Sequence, residues 1–336
     1  MRHETVFKGL GVALATPFHP GAPGRDSGAV DYPAYRALVR SVVSGGADFL
    51  VTLGSTGEAA ALTGEERSAL IRATLEEAGG VPVVAGAGHN STREACELAA
   101  RAAELGVAGL LVVTPYYNKP QGDGLEAHYR AVAEAARGTP LIVYNVPGRT
   151  GINLAPETLA RLWAIPGIVA VKESSGNLAQ IGEIARTLPP GKTLLAGDDA
   201  LALASIAVGA EGLVSVAGNV APAAMNALVD AALRSRMDEA RSLHARLLPL
   251  MDALFAETNP VPLKAALSLA GLCSDAVRLP LAPARGATRE KLEGVLAALG
   301  YPTLRESGLG GIEALLGAGG VTGGLDREPA AARRAS

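Results

Sequence analysis

Short runs dense in Val, Leu, Ile and Ala recur along the first two thirds of the chain. They fall at Leu10–Thr16, Phe49–Leu53, Val83–Ala87, Gly109–Val113, Leu141–Asn145, Ile168–Lys172, Leu194–Gly197 and Gly212–Val216. Each is apolar almost throughout instead of alternating, which is the pattern of a strand covered on both faces of a parallel sheet. Between the runs the period lengthens to that of an amphipathic helix, as in Glu65–Ala78, Thr92–Leu105 and Pro156–Trp163. Thr63 followed by Glu66 makes a capping box ahead of the first of these, and Pro156 sits in a first turn, where a helix tolerates it. Eight strand–helix units spaced roughly 20 to 37 residues apart predict an α/β fold, a closed (β/α)8 TIM barrel over residues 1–220.

After the eighth run the alternation stops. Ala221–Arg234, Met237–Phe255, Val261–Leu272 and Arg289–Leu299 read as helices, so residues 221–301 are expected to form a C-terminal helical extension. Residues 302–336 are rich in Gly, Ala and Arg and have no sustained period, which predicts a weakly ordered tail. A docking segment around Ile312–Leu316 is the alternative for that stretch.

Composition narrows the classes. A chain of 336 residues, 49% hydrophobic, can bury a large core, and a net charge of -3 gives it no electrostatic reason to seek nucleic acid. No run approaches the roughly 20 apolar residues of a membrane span. The opening residues lead into a strand and not into a signal-peptide core, so a cytoplasmic location is expected. Cys96 and Cys273 lie far apart without C-x-x-C spacing, which points to two reduced thiols. The five histidines show no paired spacing, and no metal or other cofactor is expected.

In a barrel the active site is built from the loops at the carboxyl ends of the strands. Here those ends carry Thr16-Pro17-Phe18, Gly54-Ser55-Thr56-Gly57-Glu58, Gly88-His89-Asn90, Thr114-Pro115-Tyr116-Tyr117-Asn118, Tyr144 through Gly151, Lys172-Glu173-Ser174, Gly197-Asp198-Asp199 and Ser215-Val216-Ala217. An ammonium placed in an apolar mouth loses hydration, which favours the free amine, and a free amine attacks ketones. Lys172 is the candidate, although a lysine closing a strand is more often a solvated end group. Tyr144 ends the neighbouring fifth strand and is the candidate proton shuttle if the hydroxyls of Ser55, Thr56 and Tyr117 surround it; otherwise it is a packed ring with a wet hydroxyl. The Gly54–Glu58 loop reads either as a plain glycine-rich turn or as a cradle whose N–H groups hold a small carboxylate. Arg149 is either a surface arginine or a bidentate carboxylate partner.

Three other signals carry no chemistry. Gly191-Lys192-Thr193 resembles the end of a phosphate loop, but Arg186 stands where the first glycine is required. Asn90-Ser91-Thr92 is a formal glycosylation sequon, irrelevant inside the cell. Asp198 and Asp199 are adjacent and project differently, with no third ligand, and they argue against a phosphate after the seventh strand. A carboxylate-bearing substrate suits this mouth better than a sugar phosphate.

Taken together, the G-S-T-G-E loop, P-Y-Y-N, Y-N-V-P-G-R-T-G, V-K-E-S-S-G-N, G-D-D and the late N-P-V-P-L-K segment at Asn259–Lys264 resemble the dihydrodipicolinate synthase and N-acetylneuraminate lyase family of pyruvate-dependent class I aldolases. The resemblance covers about residues 5–300 and leaves out the tail. It implies that Lys172 forms a Schiff base with pyruvate and that Tyr144 is the acid/base group. It further implies that Tyr117 crosses a tight dimer interface to complete a relay with Ser55 and Tyr144, that Thr56 holds the pyruvate carboxylate, and that Gly197 and Val214 line the pocket. Relatives of this kind are commonly homotetramers.

Within the family, Arg149 matches the position at which the synthase branch binds the carboxylate of L-aspartate 4-semialdehyde. Ser55 departs from the threonine more usual in that branch. The resemblance therefore implies condensation of pyruvate with aspartate 4-semialdehyde to 4-hydroxy-tetrahydrodipicolinate, on the route to diaminopimelate and lysine. The alternatives are a sibling lyase acting on a 2-oxo sugar acid or 4-hydroxy-2-oxoglutarate, and a barrel that binds 2-oxo acids without turnover. Asn90, Glu94 and Tyr116 match a lysine-inhibition site, whereas Gly64 and Arg67 stand where sensitive members carry histidines, so weak or absent lysine inhibition is expected.

Overall fold

The computed structural model describes residues 7–21 and 28–301. Eight parallel strands close into a barrel: β1 (Gly9–Ala13), β2 (Phe49–Thr52), β3 (Val83–Gly86), β4 (Gly109–Val113), β5 (Leu141–Asn145), β6 (Ile168–Glu173), β7 (Thr193–Ala196) and β8 (Gly212–Ser215). They follow in sequence order, and β8 pairs back onto β1. This is the TIM barrel that the apolar runs predict.

Side chains of a strand alternate between faces, so each run serves two cores at once. One set, including Ala13, Val51, Val84, Leu111, Ile142, Tyr144, Ala170, Leu195 and Val214, packs inside the barrel. The other packs outward against the surrounding helices. Both sets are apolar, which is why the strands read as continuous runs.

Most strands stop before the apolar run does. β1 ends at Ala13, three residues short of Thr16, and β2 ends at Thr52 because Leu53 takes a φ of 58°, in the left-handed region, and turns the chain into the next loop. β6 instead runs one residue longer, to Glu173, because Asn145 on β5 and Glu173 on β6 pair in register.

The outer ring holds α1 (Tyr32–Ser44), α2 (Gly64–Glu77), α3 (Thr92–Glu104), α4 (Gly122–Ala135), the single turn α5 (Pro147–Thr150), α6 (Pro156–Leu162), α7 (Leu178–Thr187), α8 (Ala202–Ala207) and α9 (Pro222–Leu233). The capping box is present: Glu66 N donates to Thr63 Oγ1 at 3.2 Å, and Thr63 N donates to Glu66 Oε2 at 2.9 Å. α9 packs against β1, β8, α1 and α8 and so closes the ring. Gly45 and Gly46 at the end of α1 leave room for it, since a Cβ on Gly45 would lie 2.4 Å from Pro222.

Three further helices follow: α10 (Met237–Ala253), α11 (Val261–Leu269) and α12 (Gly286–Ala298). α12 begins three residues ahead of the expected Arg289, and α11 stops early because Gly271 turns left-handed, at a φ of 74°. Among the described residues no helix is long and apolar enough to cross a membrane. The tail at 302–336, with its Ile312–Leu316 segment, lies outside the described residues.

Candidate active site

Alternation along β6 sends Ala170 and Lys172 into the barrel and Val171 and Glu173 outward, and alternation along β5 does the same with Ile142 and Tyr144 against Val143 and Asn145. Tyr144 and Lys172 stand opposite each other in the parallel register, so both inward chains reach the carboxyl mouth side by side. The Lys172 Nζ lies 4.3 Å from the centre of the Tyr144 ring. Both residues are buried, at 5% and 7% exposure. The outward partners lock this geometry from behind: Asn145 Nδ2 donates to Glu173 Oε2 at 2.9 Å, and Ser175 N donates to Glu173 Oε1 at 2.7 Å.

Gly197, just past β7, is where the lysine finds its space. A Cβ at that position would lie 2.8 Å from Lys172 Cε and 1.8 Å from Ser174 Oγ. Any side chain there would therefore displace the Lys172 side chain. Ser174 Oγ is itself buried and has no hydrogen-bond partner among the described residues. Val214 on β8 lies in the same inner layer as Tyr144.

Thr56 lies in a 3₁₀ turn, Ser55–Gly57, and is buried, while Ser55 is partly exposed. The turn is held from both ends. Thr16 Oγ1 donates to Gly57 O at 2.8 Å. Glu58, in a left-handed conformation at φ 51°, is buried against Lys264 of α11, with Nζ 2.5 Å from Oε1, and accepts from Arg278 N at 2.9 Å. Burial pushes the Lys264 ammonium below the usual lysine range, and Glu58 pulls it back up. Arg278 also donates to Glu66 through both Nη atoms, and this guanidinium holds the Glu66 carboxyl below its usual range.

Asn259, the residue before Pro260 and α11, joins two of the expected binding residues. Its Nδ2 donates to Thr56 Oγ1 at 2.9 Å, and its backbone carbonyl accepts from Arg149 Nη2, also at 2.9 Å. Arg149 is otherwise exposed on α5, at the rim of the mouth. Lys172, Tyr144, Gly197 and Val214 thus meet in the barrel, and Thr56 and Arg149 meet through Asn259. The Asn259–Lys264 segment was visible in the sequence as a motif, but nothing there revealed what its side chains reach.

Tyr117 does not join them within one chain. Its side chain is 88% exposed and its backbone is left-handed, at a φ of 69°. Nearby, Asn118 Nδ2 donates to Asn90 O at 2.9 Å, the Tyr116 ring packs edge-on against His89, and Glu94 pairs with Arg93. Arg67 lies beneath this surface, donating to Ala59 O at 2.8 Å and Gly86 O at 3.0 Å, and burial lowers its pKa.

The two adjacent acids do diverge. Asp199 is buried, accepting from Ser215 Oγ and from Val216 N and Ala217 N, and burial pushes its carboxyl up, whereas Asp198 accepts from Ala200 N. Lys192, in the Gly191–Thr193 segment, donates to Ile168 O and so ties that segment to the start of β6.

Fold and site together define a barrel enzyme built around a buried amine with a phenol beside it. The chain belongs to the dihydrodipicolinate synthetase family, whose model matches residues 6–299. It is 46% identical over 292 residues to 4-hydroxy-tetrahydrodipicolinate synthase of Trichlorobacter lovleyi, covering 87% of this chain and 98% of that one. Dihydrodipicolinate synthase from Thermotoga maritima superposes with a TM-score of 0.84 at 40% identity, over 88% of this chain and 99% of the other. The chloride-inhibited dihydrodipicolinate synthase from Acinetobacter baumannii, in complex with pyruvate, superposes with a TM-score of 0.83 at 39% identity, over 88% and 99%.

Proposed function

We propose that this protein condenses pyruvate with L-aspartate 4-semialdehyde to give 4-hydroxy-tetrahydrodipicolinate, without metal or organic cofactor. The observation that carries the reading is the pairing of buried Lys172 with Tyr144 at the barrel mouth. Lys172 Nζ attacks the ketone carbon of pyruvate, the carbinolamine loses water, and a Schiff base forms. Loss of a methyl proton gives the enamine, whose carbon adds to the aldehyde of the second substrate. The amino group of that substrate then attacks the imine carbon, closes the ring and releases the Lys172 amine.

Each step moves a proton, and Tyr144 is the group we assign to it, which its position beside Lys172 supports. Thr56 receives the pyruvate carboxylate and Arg149 the carboxylate of the semialdehyde. Gly197 and Val214 shape the pocket. Ser55 is assigned to the relay beside the phenol, and Tyr117 extends the relay from a neighbouring subunit, which accords with an exposed tyrosine in a constrained backbone. A homotetramer built from such dimers is the assembly proposed, and the cytoplasm the location. At the Asn90, Glu94 and Tyr116 surface, the partly buried Arg67 cation opposes an incoming ammonium, which supports weak or absent lysine inhibition.

Borohydride reduction in the presence of pyruvate tests the chemistry, since every Schiff-base reading requires a reduced adduct on Lys172. Assays of aspartate 4-semialdehyde beside 4-hydroxy-2-oxoglutarate and a 2-oxo sugar acid test the branch. Ser55 favours the sibling lyase reading, and preferential turnover of either of the latter substrates would establish it.

A further inference from the structure

A threonine hydroxyl has one proton to give and two lone pairs that receive. Which of these faces a ligand depends on what the protein places on the other side. Thr56 Oγ1 receives the amide proton of Asn259 Nδ2 at 2.9 Å, and an amide N–H can only donate. Among the described residues Thr56 has no acceptor for its own proton. That proton is therefore left for the pocket, where a carboxylate would take it.

Asn259 is buried, its backbone carbonyl accepts from Arg149, and among the described residues the one partner of its side-chain amide is Thr56, with Oδ1 left buried and unpaired. Five residues on, Lys264 is paired with Glu58, only two residues beyond Thr56. The two segments thus meet at two parallel points, Thr56 with Asn259 and Glu58 with Lys264.

We propose that Asn259 is a positioning residue that sets the polarity of the Thr56 hydroxyl, so that Thr56 donates to the pyruvate carboxylate. This rests on the reading that Thr56 binds that carboxylate. Aspartate at 259 has nearly the same shape but reverses the bond: Thr56 would donate to it and present only lone pairs to the ligand. A residue that merely filled space would behave in the opposite order, with alanine the more harmful substitution.

The test is the pyruvate concentration that half-saturates borohydride trapping, measured for N259D, N259A, T56V and the two double variants, with thermal midpoints alongside. N259D is expected to raise it about 100-fold and N259A about 10-fold. In the T56V background both effects should collapse to within about threefold, because the group they act through is gone. The inference is overturned if N259D binds pyruvate as the parent does, if alanine is worse than aspartate, or if the aspartate effect persists in T56V and so acts by charge alone. If T56V itself binds pyruvate normally, the assignment of Thr56 fails instead. Should N259D not fold, the cycle of N259A with T56V reads the same coupling, and additive effects would refute it.

Discussion

Lys172 Nζ stands 4.3 Å from the ring centre of Tyr144, on strands whose register sets the two residues directly opposite each other. Phenylalanine at 144 keeps the ring beneath the amine and removes only the hydroxyl. Tyr144→Phe should lower kcat by about 10²- to 10⁴-fold while a pyruvate adduct still accumulates on Lys172. A variant within threefold of the parent would remove Tyr144 from proton transfer.

Arg149 is exposed, and among the described residues its side chain makes one hydrogen bond, to the Asn259 carbonyl, so its loss should leave the fold and the pyruvate half-reaction intact. Arg149→Ala is expected to reduce kcat/KM for aspartate 4-semialdehyde by about 10- to 100-fold, the worth of a charged hydrogen bond. Trapping by pyruvate should not change. Equal losses in both would mean that Arg149 acts on the architecture of the mouth.

Tyr117 is far more exposed than a working phenol should be if it served its own chain. Two inactive variants, Tyr117→Phe and Lys172→Ala, should therefore complement when their subunits are mixed and allowed to exchange. Random pairing restores about a quarter of the parent activity, because a mixed dimer has one site with both residues. Absence of recovery in exchanged, mass-verified hybrids would place Tyr117 outside the relay.

His128 is buried between α3 and α4, with Nδ1 3.0 Å from Thr92 Oγ1, and burial pushes its pKa down to about 4. The unfolded chain binds this proton near pH 6.5 and the folded chain does not. The associated stability is therefore complete above pH 6.5 and is lost as the pH falls toward 4, by at most about 3 kcal/mol. Urea unfolding of His128→Asn should show a flatter loss of stability between pH 7 and 4.5 than the parent. Parallel curves would mean that other groups set the acid limit.

The Glu58–Lys264 pair has side-chain exposures of 2% and 0%. Lys264→Met leaves a carboxylate buried without its partner and should destabilise the protein by about 3–5 kcal/mol. Adding Glu58→Gln should recover much of this loss. If the double variant is no more stable than the single one in denaturant titrations, the pair does not act as a unit.

The barrel was readable because a parallel sheet demands strands that are apolar on both faces, and eight such runs leave few other arrangements. Lys172 and Tyr144 were readable as candidates at strand ends, but a lysine closing an apolar run is more often a solvated end group, and it was the set of motifs that singled them out. The strand ends were less so, since the left-handed turn at Leu53 has no signature in a leucine. Least visible were the contacts of Asn259 and Lys264, each about 200 residues from its partner on the Thr56 loop. Side-chain partnerships over such separations are set by the fold and by nothing local.

That separation also orders events in time. When the ribosome has delivered β8, every residue proposed to touch pyruvate already exists, yet the Thr56 loop still lacks the Asn259 amide and the Lys264 ammonium that pack on it. On the assignments proposed above, a nascent barrel would hold pyruvate more weakly until α11 docks on the Thr56 loop.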